Sequence, residues 1–332
     1  MNLPEAIRTV RWMVRDTFRQ SLHTKLFWVM LGVTAVCTAF CGSVRVSGAP
    51  VRSEGDPLYT LPKGEAAKIG EAEVFGDGVQ IKGGEISFGF GAVKAPVGKT
   101  KEDSVRFVQV WVAGVVADSL GVLLALIWTA GFLPTFLEPH SATVLLAKPA
   151  PRWAVLVGKY LGVVGFVAVQ AVLFVGGTWF ALAVATGVWD AAYWLAAPLL
   201  VVNFAIFYAV SAFIAVCTRS TVAAAFGTLL FWVLCWAMNF THHHLAADPV
   251  GGLGGGAKFL LETGYWFLPK PLDLSGIFFD AMNAQGLYSQ ADELTLLKAS
   301  GQFHPEASVA ASAGFAAATL GFAAYELHMT DY

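Results

Sequence analysis

Six stretches free of Asp, Glu, Lys and Arg constrain this chain more than any other feature. They lie between Lys25 and Arg45, Asp118 and Glu138, Lys159 and Asp190, Asp190 and Arg219, Arg219 and Asp248, and Glu306 and Glu326. Each is long enough to cross a bilayer, which takes roughly 20 apolar residues. In hydrocarbon the backbone must satisfy its own polar groups, so each should be a helix. Composition agrees: 13% of residues are charged, against about a quarter in a soluble domain. The expected fold is an all-α polytopic membrane protein with six transmembrane helices. They are placed at residues 26–44, 108–137 (108–117 being an interfacial lead-in), 160–186, 192–216, 221–240 and 307–325.

Residues 1–25 read as an amphipathic interfacial helix. Arg8, Arg11, Arg15 and Arg19 recur at helical spacing on one face, and Ile7, Val10, Met13, Val14 and Phe18 share another. Such a helix lies on a membrane surface with its arginines at anionic headgroups. A targeting peptide is the other reading; Glu5, Asp16 and the span that follows at once argue against it.

Residues 45–107 are of a different kind, rich in glycine and in charges of both signs. Asp77-Gly78 and Gly83-Gly84 are turn signals, and Ile86, Phe88 and Phe90 alternate with small residues as in a strand. The expectation is a small β-rich extracytoplasmic insertion that leans on the spans or on a partner copy, being too small for much core of its own. Gly98-Lys99-Thr100 looks like the end of a phosphate-binding loop, but the first glycine of that motif would fall at Val93. No nucleotide-binding loop is present, so no cofactor is expected in this chain. Residues 241–306 form a second outer loop, whose aromatic run from Phe259 to Met282 fits an interfacial or re-entrant segment. The tail is 326–332. The four cysteines sit in spans and read as small apolar residues.

A few polar groups interrupt the spans. Asp118 is either a pathway residue or a wetted carboxylate near the outer surface. Gln170 and Asn203 offer interhelical hydrogen bonds or a substrate contact. His242, His243 and His244 invite a metal reading, yet adjacent helical residues point 100° apart and cannot converge on one ion; a wet interfacial cluster is the alternative.

Between the second and third spans lies a charged, proline-punctuated segment, 138–159. In order it carries Glu138, Thr143, Leu145, Leu146, Lys148, Pro149, Arg152, Gly158 and Lys159, with two helical turns available at Ser141–Ala147. This ordered set resembles the cytoplasmic coupling segment of ABC-2 type transporter permeases, and is most similar to the nitrous-oxide-reductase maturation permease-like subgroup. Ala142 departs from the glycine usual in that pattern. The resemblance implies a permease subunit, not an enzyme, whose coupling residues are Glu138, Thr143, Lys148, Pro149, Arg152, Gly158 and Lys159. It implies as partners two copies of an ABC ATPase, which bind the ATP, and a second permease copy or paralogue; membrane lipid is the surrounding partner and nucleic acid is not expected. It also implies an inner (plasma) membrane location with both termini cytoplasmic.

The charge pattern points the same way. Arg8 to Arg19, Lys148, Arg152, Lys159 and Arg219 fall on one side of the expected topology, as the positive-inside rule requires. The insertion at 45–107 carries many basic residues on the other side, but long folded domains translocate largely regardless of charge. The alternatives are a polytopic secondary transporter and a membrane enzyme or receptor. The first should show an inverted repeat and broken helices, and the second a zinc motif, paired acids or a Ser/His/Asp set at depth. Neither pattern is evident.

Overall fold

The computed structural model describes residues 3–23, 25–47, 72–75, 78–81, 84–97, 101–136, 151–247, 255–284, 287–299, 301 and 303–329. Its elements in order are α1 (Leu3–His23), α2 (Lys25–Ser43), β1 (Arg45–Ser47), β2 (Ala72–Phe75), β3 (Gly78–Ile81), β4 (Gly84–Phe88), β5 (Val93–Val97), α3 (Lys101–Phe136), α4 (Arg152–Thr186), a 3-10 turn (Ala191–Leu195) leading into α5 (Ala196–Thr218), α6 (Thr221–Ala247), α7 (Gly255–Phe267), α8 (Pro271–Ala281), α9 (Ser289–Ala299) and α10 (Pro305–Met329).

Among the described residues five helices are long and apolar enough to cross a membrane: α3, α4, α5 with its leading turn, α6 and α10. The pair α1–α2, bent by 68° at the break between them, brings the number to six when the two are taken together as one span. α5 is the centre of the bundle. Within its apolar window 67% of residues are buried, against 17% for α6. Tyr193 and Phe204, Phe207 and Tyr208 are all closed from solvent there.

Local chemistry sets the helix ends. α4 starts after extended Pro151 and stops at Gly187, which takes φ 76° and returns its N–H to the Ala183 carbonyl at 2.8 Å. Asp190 caps the next turn, its Oδ1 accepting from the Ala192 N–H at 3.0 Å. α5 ends at Arg219, a left-handed position (φ 54°) with no glycine, and Ser220 Oγ then accepts from the Ala223 N–H to start α6.

Three details depart from the sequence expectations. The second crossing helix begins at Lys101, inside the stretch assigned to the β-rich insertion, and Val110–Gly121 within it is wound as a π-helix. Phe90 lies in a turn at φ 58°, not on the strand with Ile86 and Phe88. The second outer loop is mostly helical: α6 runs on through the three histidines, and α7, α8 and α9 follow.

The strands form a three-stranded antiparallel sheet, β1-β4-β5, and a separate β2-β3 hairpin. The sheet rests on the helices: Ile86 packs with Cys41 and Val44 at the end of α2, Val108 and Val112 of α3, and Leu182 of α4. This marks one end of the bundle, the sheet end. The opposite end gathers the last turn of α3, the first of α4, the end of α5, the start of α6 and the end of α10 around Leu133, Leu156, Val216, Ala224 and Leu327.

Candidate functional site

At the end opposite the sheet, the base of α4 is a junction. Gly158 and Gly162 lie one turn apart and let α1 lie directly against α4. A Cβ at Gly158 would stand 2.7 Å from the Met13 Cβ, and one at Gly162 2.7 Å from the Thr17 Cβ. Close approach of this kind is how small residues build helix contacts in lipid. Lys159, between them, is 2% exposed. Its Nζ donates to Gln20 Oε1 at 2.8 Å, lies 3.7 Å from Asp16 Oδ2, and sits over the Phe136 ring at 5.4 Å. Three elements meet on one ammonium: α1, α3 and α4. Two turns earlier, Arg152 Nη1 donates to the carbonyls of Leu327 and His328, both at 3.3 Å. A cation on the last free carbonyls of a helix satisfies acceptors that have no partner within it and complements the helix dipole. α4 is thus braced to α1 by Lys159 and to α10 by Arg152, both in the last part of the charged segment 138–159. Glu138, Thr143, Leu145, Leu146, Lys148, Pro149 and the expected helix at Ser141–Ala147 lie outside the described residues.

The three polar residues of the spans divide. Asp118, half-buried on the π-helical stretch, joins Asn203 and Ser275: Asn203 Nδ2 donates to its Oδ1 at 2.8 Å and Ser275 Oγ to its Oδ2 at 2.5 Å. The carboxylate ties α3 to α5 and α8. Gln170 stands apart, its Nε2 donating to Thr34 Oγ1 of α2 at 3.0 Å. Both amides do make interhelical hydrogen bonds.

A further cluster, near the sheet end, combines one pair of histidines with residues that sequence reasoning passed over. Asn239, His242 and His243 share one face of α6, at i, i+3 and i+4. Asp273 of α8 is closed from solvent and accepts from three elements: His243 Nε2 at 2.6 Å, the Tyr265 hydroxyl of α7 at 2.6 Å, and the Ser308 hydroxyl of α10 at 2.5 Å. A carboxylate only accepts, so Nε2 carries the hydrogen. Burial alone would raise the Asp273 pKa; the bonds from His243, Ser308 and Tyr265 outweigh it and hold it below the ordinary value. The Tyr265 hydroxyl is raised, by burial and by the neighbouring carboxylate. Lys270 Nζ, buried and 4.9 Å from the Tyr265 and Trp266 rings, is lowered by burial. His242 stacks on Tyr265 at 3.7 Å, while His244 is exposed and stacks on Phe240. The wet cluster expected of the three histidines therefore does not hold for His243, which is buried because Asp273 reaches it. Among the described residues no group of three or more His, Cys, Asp or Glu could hold a metal ion. The signal in the sequence was the i, i+3, i+4 spacing of Asn239, His242 and His243, with a lone aspartate in an aromatic run.

The model of one family, ABC-2 family transporter protein, matches residues 12–249, well over half of the chain. The chain belongs to the ABC-2 transporter family. It is a multi-pass membrane protein, and its family is that of the permease components of ABC transporters. The match takes in α1 from Trp12 onward, the segment 138–159 and α4 to α6, and stops before α7. No curated protein and no solved structure matches the chain.

Proposed function

We propose that this chain is the membrane half of an ATP-driven ABC-2 exporter, or of a machine that moves a substrate at the outer face, and that its ATPase is a separate polypeptide. The observation that carries the reading is the junction at the base of α4. α4 begins there, next in the chain after the charged residues, and is clamped at once to the N-terminal helix and to the last span, as a lever must be if a push from a soluble motor is to reach the bundle. In this reading Glu138, Thr143, Lys148 and Pro149 meet the ATPase. Arg152, Gly158 and Lys159 are positioning residues that hold α4 to α10 and α1. Two ATPase copies bind the ATP, a second permease copy or paralogue completes the pathway, and the clamped end faces the cytoplasm of an inner membrane with both termini on that side. The ordered set Glu138 to Lys159 supports the nitrous-oxide-reductase maturation-like subgroup.

The test is co-purification of the ATPase encoded nearest this chain, with ATP hydrolysis measured at equal membrane expression. A Glu138→Ala, Lys148→Ala double variant should lose charge-assisted contacts of about 1.5–3 kcal/mol each, weakening association at least tenfold. Unchanged association and unchanged hydrolysis would send the reading back to a secondary transporter.

A further inference from the structure

The turn between β4 and β5 is the end of the sheet that points back at the bilayer. β1 leaves α2 after a single residue, and β4 runs antiparallel to β1 with Ser87 opposite Arg45. Three residues further on, the Phe90 N–H donates to the Ser43 carbonyl at 3.3 Å and the Gly89 N–H to Ser43 Oγ at 3.1 Å. The turn is thus fixed beside the last residue of α2. That helix, the second limb of the α1–α2 span, has 19 residues and is about 28 Å long, close to the thickness of the hydrocarbon core. With Lys25 at one boundary of that core, Ser43 stands at the other.

The side chains continue a lipid-facing stripe onto the turn. Val29, Val33, Val36 and Phe40 recur at helical spacing along α2 and are 45% to 70% exposed; on a span they face hydrocarbon. Phe88 stacks on the last of them, Phe40, with ring centroids 5.7 Å apart. Phe90 and Val93 carry the apolar surface further, and Phe90 is the most exposed large apolar side chain among the described residues. No charge lies between Glu85 and Lys94, while Arg45 and Lys94, both exposed, flank Ser87 in the next cross-strand row. An apolar tip with basic residues just above it matches the layering of a leaflet, acyl chains and then phosphates. Trp111, next in the chain to the Val112 that packs on Ile86, is half exposed at the same end, as tryptophans are in an interfacial belt. Phe90 also holds a left-handed φ of 58°, which a bulky residue seldom takes. Water gives no reason to place such a ring there.

We propose that the β4–β5 turn is a membrane anchor: the Phe90 ring enters the acyl layer of the leaflet at the sheet end and ties the sheet to the bilayer surface. The backbone of the turn stays in the wetted headgroup layer, because carbonyls outside the ladder need water. The anchor is separate from the junction at the base of α4 and holds whether or not the ATPase reading does.

The experiment uses the full chain in phosphatidylcholine–phosphatidylglycerol nanodiscs, with 4-trifluoromethylphenylalanine in place of Phe90. Fluorine relaxation is read against two paramagnets: a phosphatidylcholine carrying a nitroxide near the top of its acyl chain, and a water-soluble gadolinium chelate. The lipid nitroxide should relax the fluorine strongly and the chelate weakly. Stronger relaxation by the chelate puts the ring in water, and weak relaxation by both puts it under protein, as at a contact with a second copy; either result overturns the proposal. Phe90→Asn supplies an independent sign. Asparagine accepts a left-handed backbone more readily than phenylalanine, so a ring that merely stood in water would lose nothing by the change. An anchored ring loses its burial, and amide exchange over 84–97 in nanodiscs should rise about tenfold. Exchange that slows or does not change overturns the proposal as well.

Discussion

Arg152 shows how a residue's role differs from its class. Its position in a charged loop suggests a contact with a partner, yet its guanidinium is spent inside the chain, on the end of α10. Arg152→Ala should therefore destabilise the isolated permease, by about 1 kcal/mol given the partial exposure of the site, seen as a lower thermal midpoint in detergent with no ATPase present. Arg152→Lys should recover only part of it, since one ammonium cannot span two carbonyls as the planar fork does. Asp273 makes the opposite case, an unremarked carboxylate that holds three helices to α8. Asp273→Asn leaves three donors facing an amide with one acceptor oxygen, and should raise hydrogen exchange in α8 by an amount worth about 1.5–3 kcal/mol. The pH dependence has a definite sign. Because the native pKa lies below the unfolded one, the stability it brings is complete above the ordinary carboxylate value of about 4 and fades as pH falls through the lowered one. Exchange of α8 that does not change on acidification, in protein that has Asp273, would contradict this.

Among the elements, the α1–α4 contact is the most sharply testable. Gly162→Leu puts a side chain where Thr17 already stands 2.7 Å from a bare Cβ. Overpacking of this kind costs about 1–3 kcal/mol, so α1 should lift from α4, and a disulfide engineered between the two helices near Thr17 should form more slowly. The amphipathic pattern of α1 was plain in the sequence because it is periodic over 21 residues. Its partner was less plain: Gly158 stands in the ordered set of 138–159, and nothing in the sequence says which helix approaches it or Gly162. The start of α3 at Lys101 was missed because its first residues are charged and carry no apolar signal. The π-helical stretch left no mark at all, since its residues are the same Val, Ala and Gly that make an ordinary span.

For the whole molecule, the charge-free runs were enough to lay out the crossings, because hydrocarbon admits so few backbone solutions. What they could not convey was which crossing is central. α5 and α6 have similar composition, but one is wrapped by neighbours and the other mostly faces outward. Nor could they foretell the pairings across long separations, Arg152 with Leu327, Lys159 with Gln20 and Asp273 with Ser308, which depend on packing and not on pattern. The arrangement yields a topology prediction. Impermeant thiol reagents applied to intact cells should label an engineered cysteine at Gly89, beside the sheet, and should not label one at Pro151, at the base of α4. Labelling at Pro151 would invert the assigned orientation.

The clasp of Arg152 on the end of α10 also bears on how the chain is made. Arg152 enters the membrane with the third crossing, but the carbonyls it holds are synthesised some 175 residues later. Until then the guanidinium has to rest on headgroups or be held by something else. The base of α4, where α1 is already docked, thus stays unfinished through the synthesis of α5 to α9, and the arrival of the final helix closes it. A chain cut just before Leu327 should insert its earlier spans while lacking the two carbonyls that tie Arg152 to the end of α10.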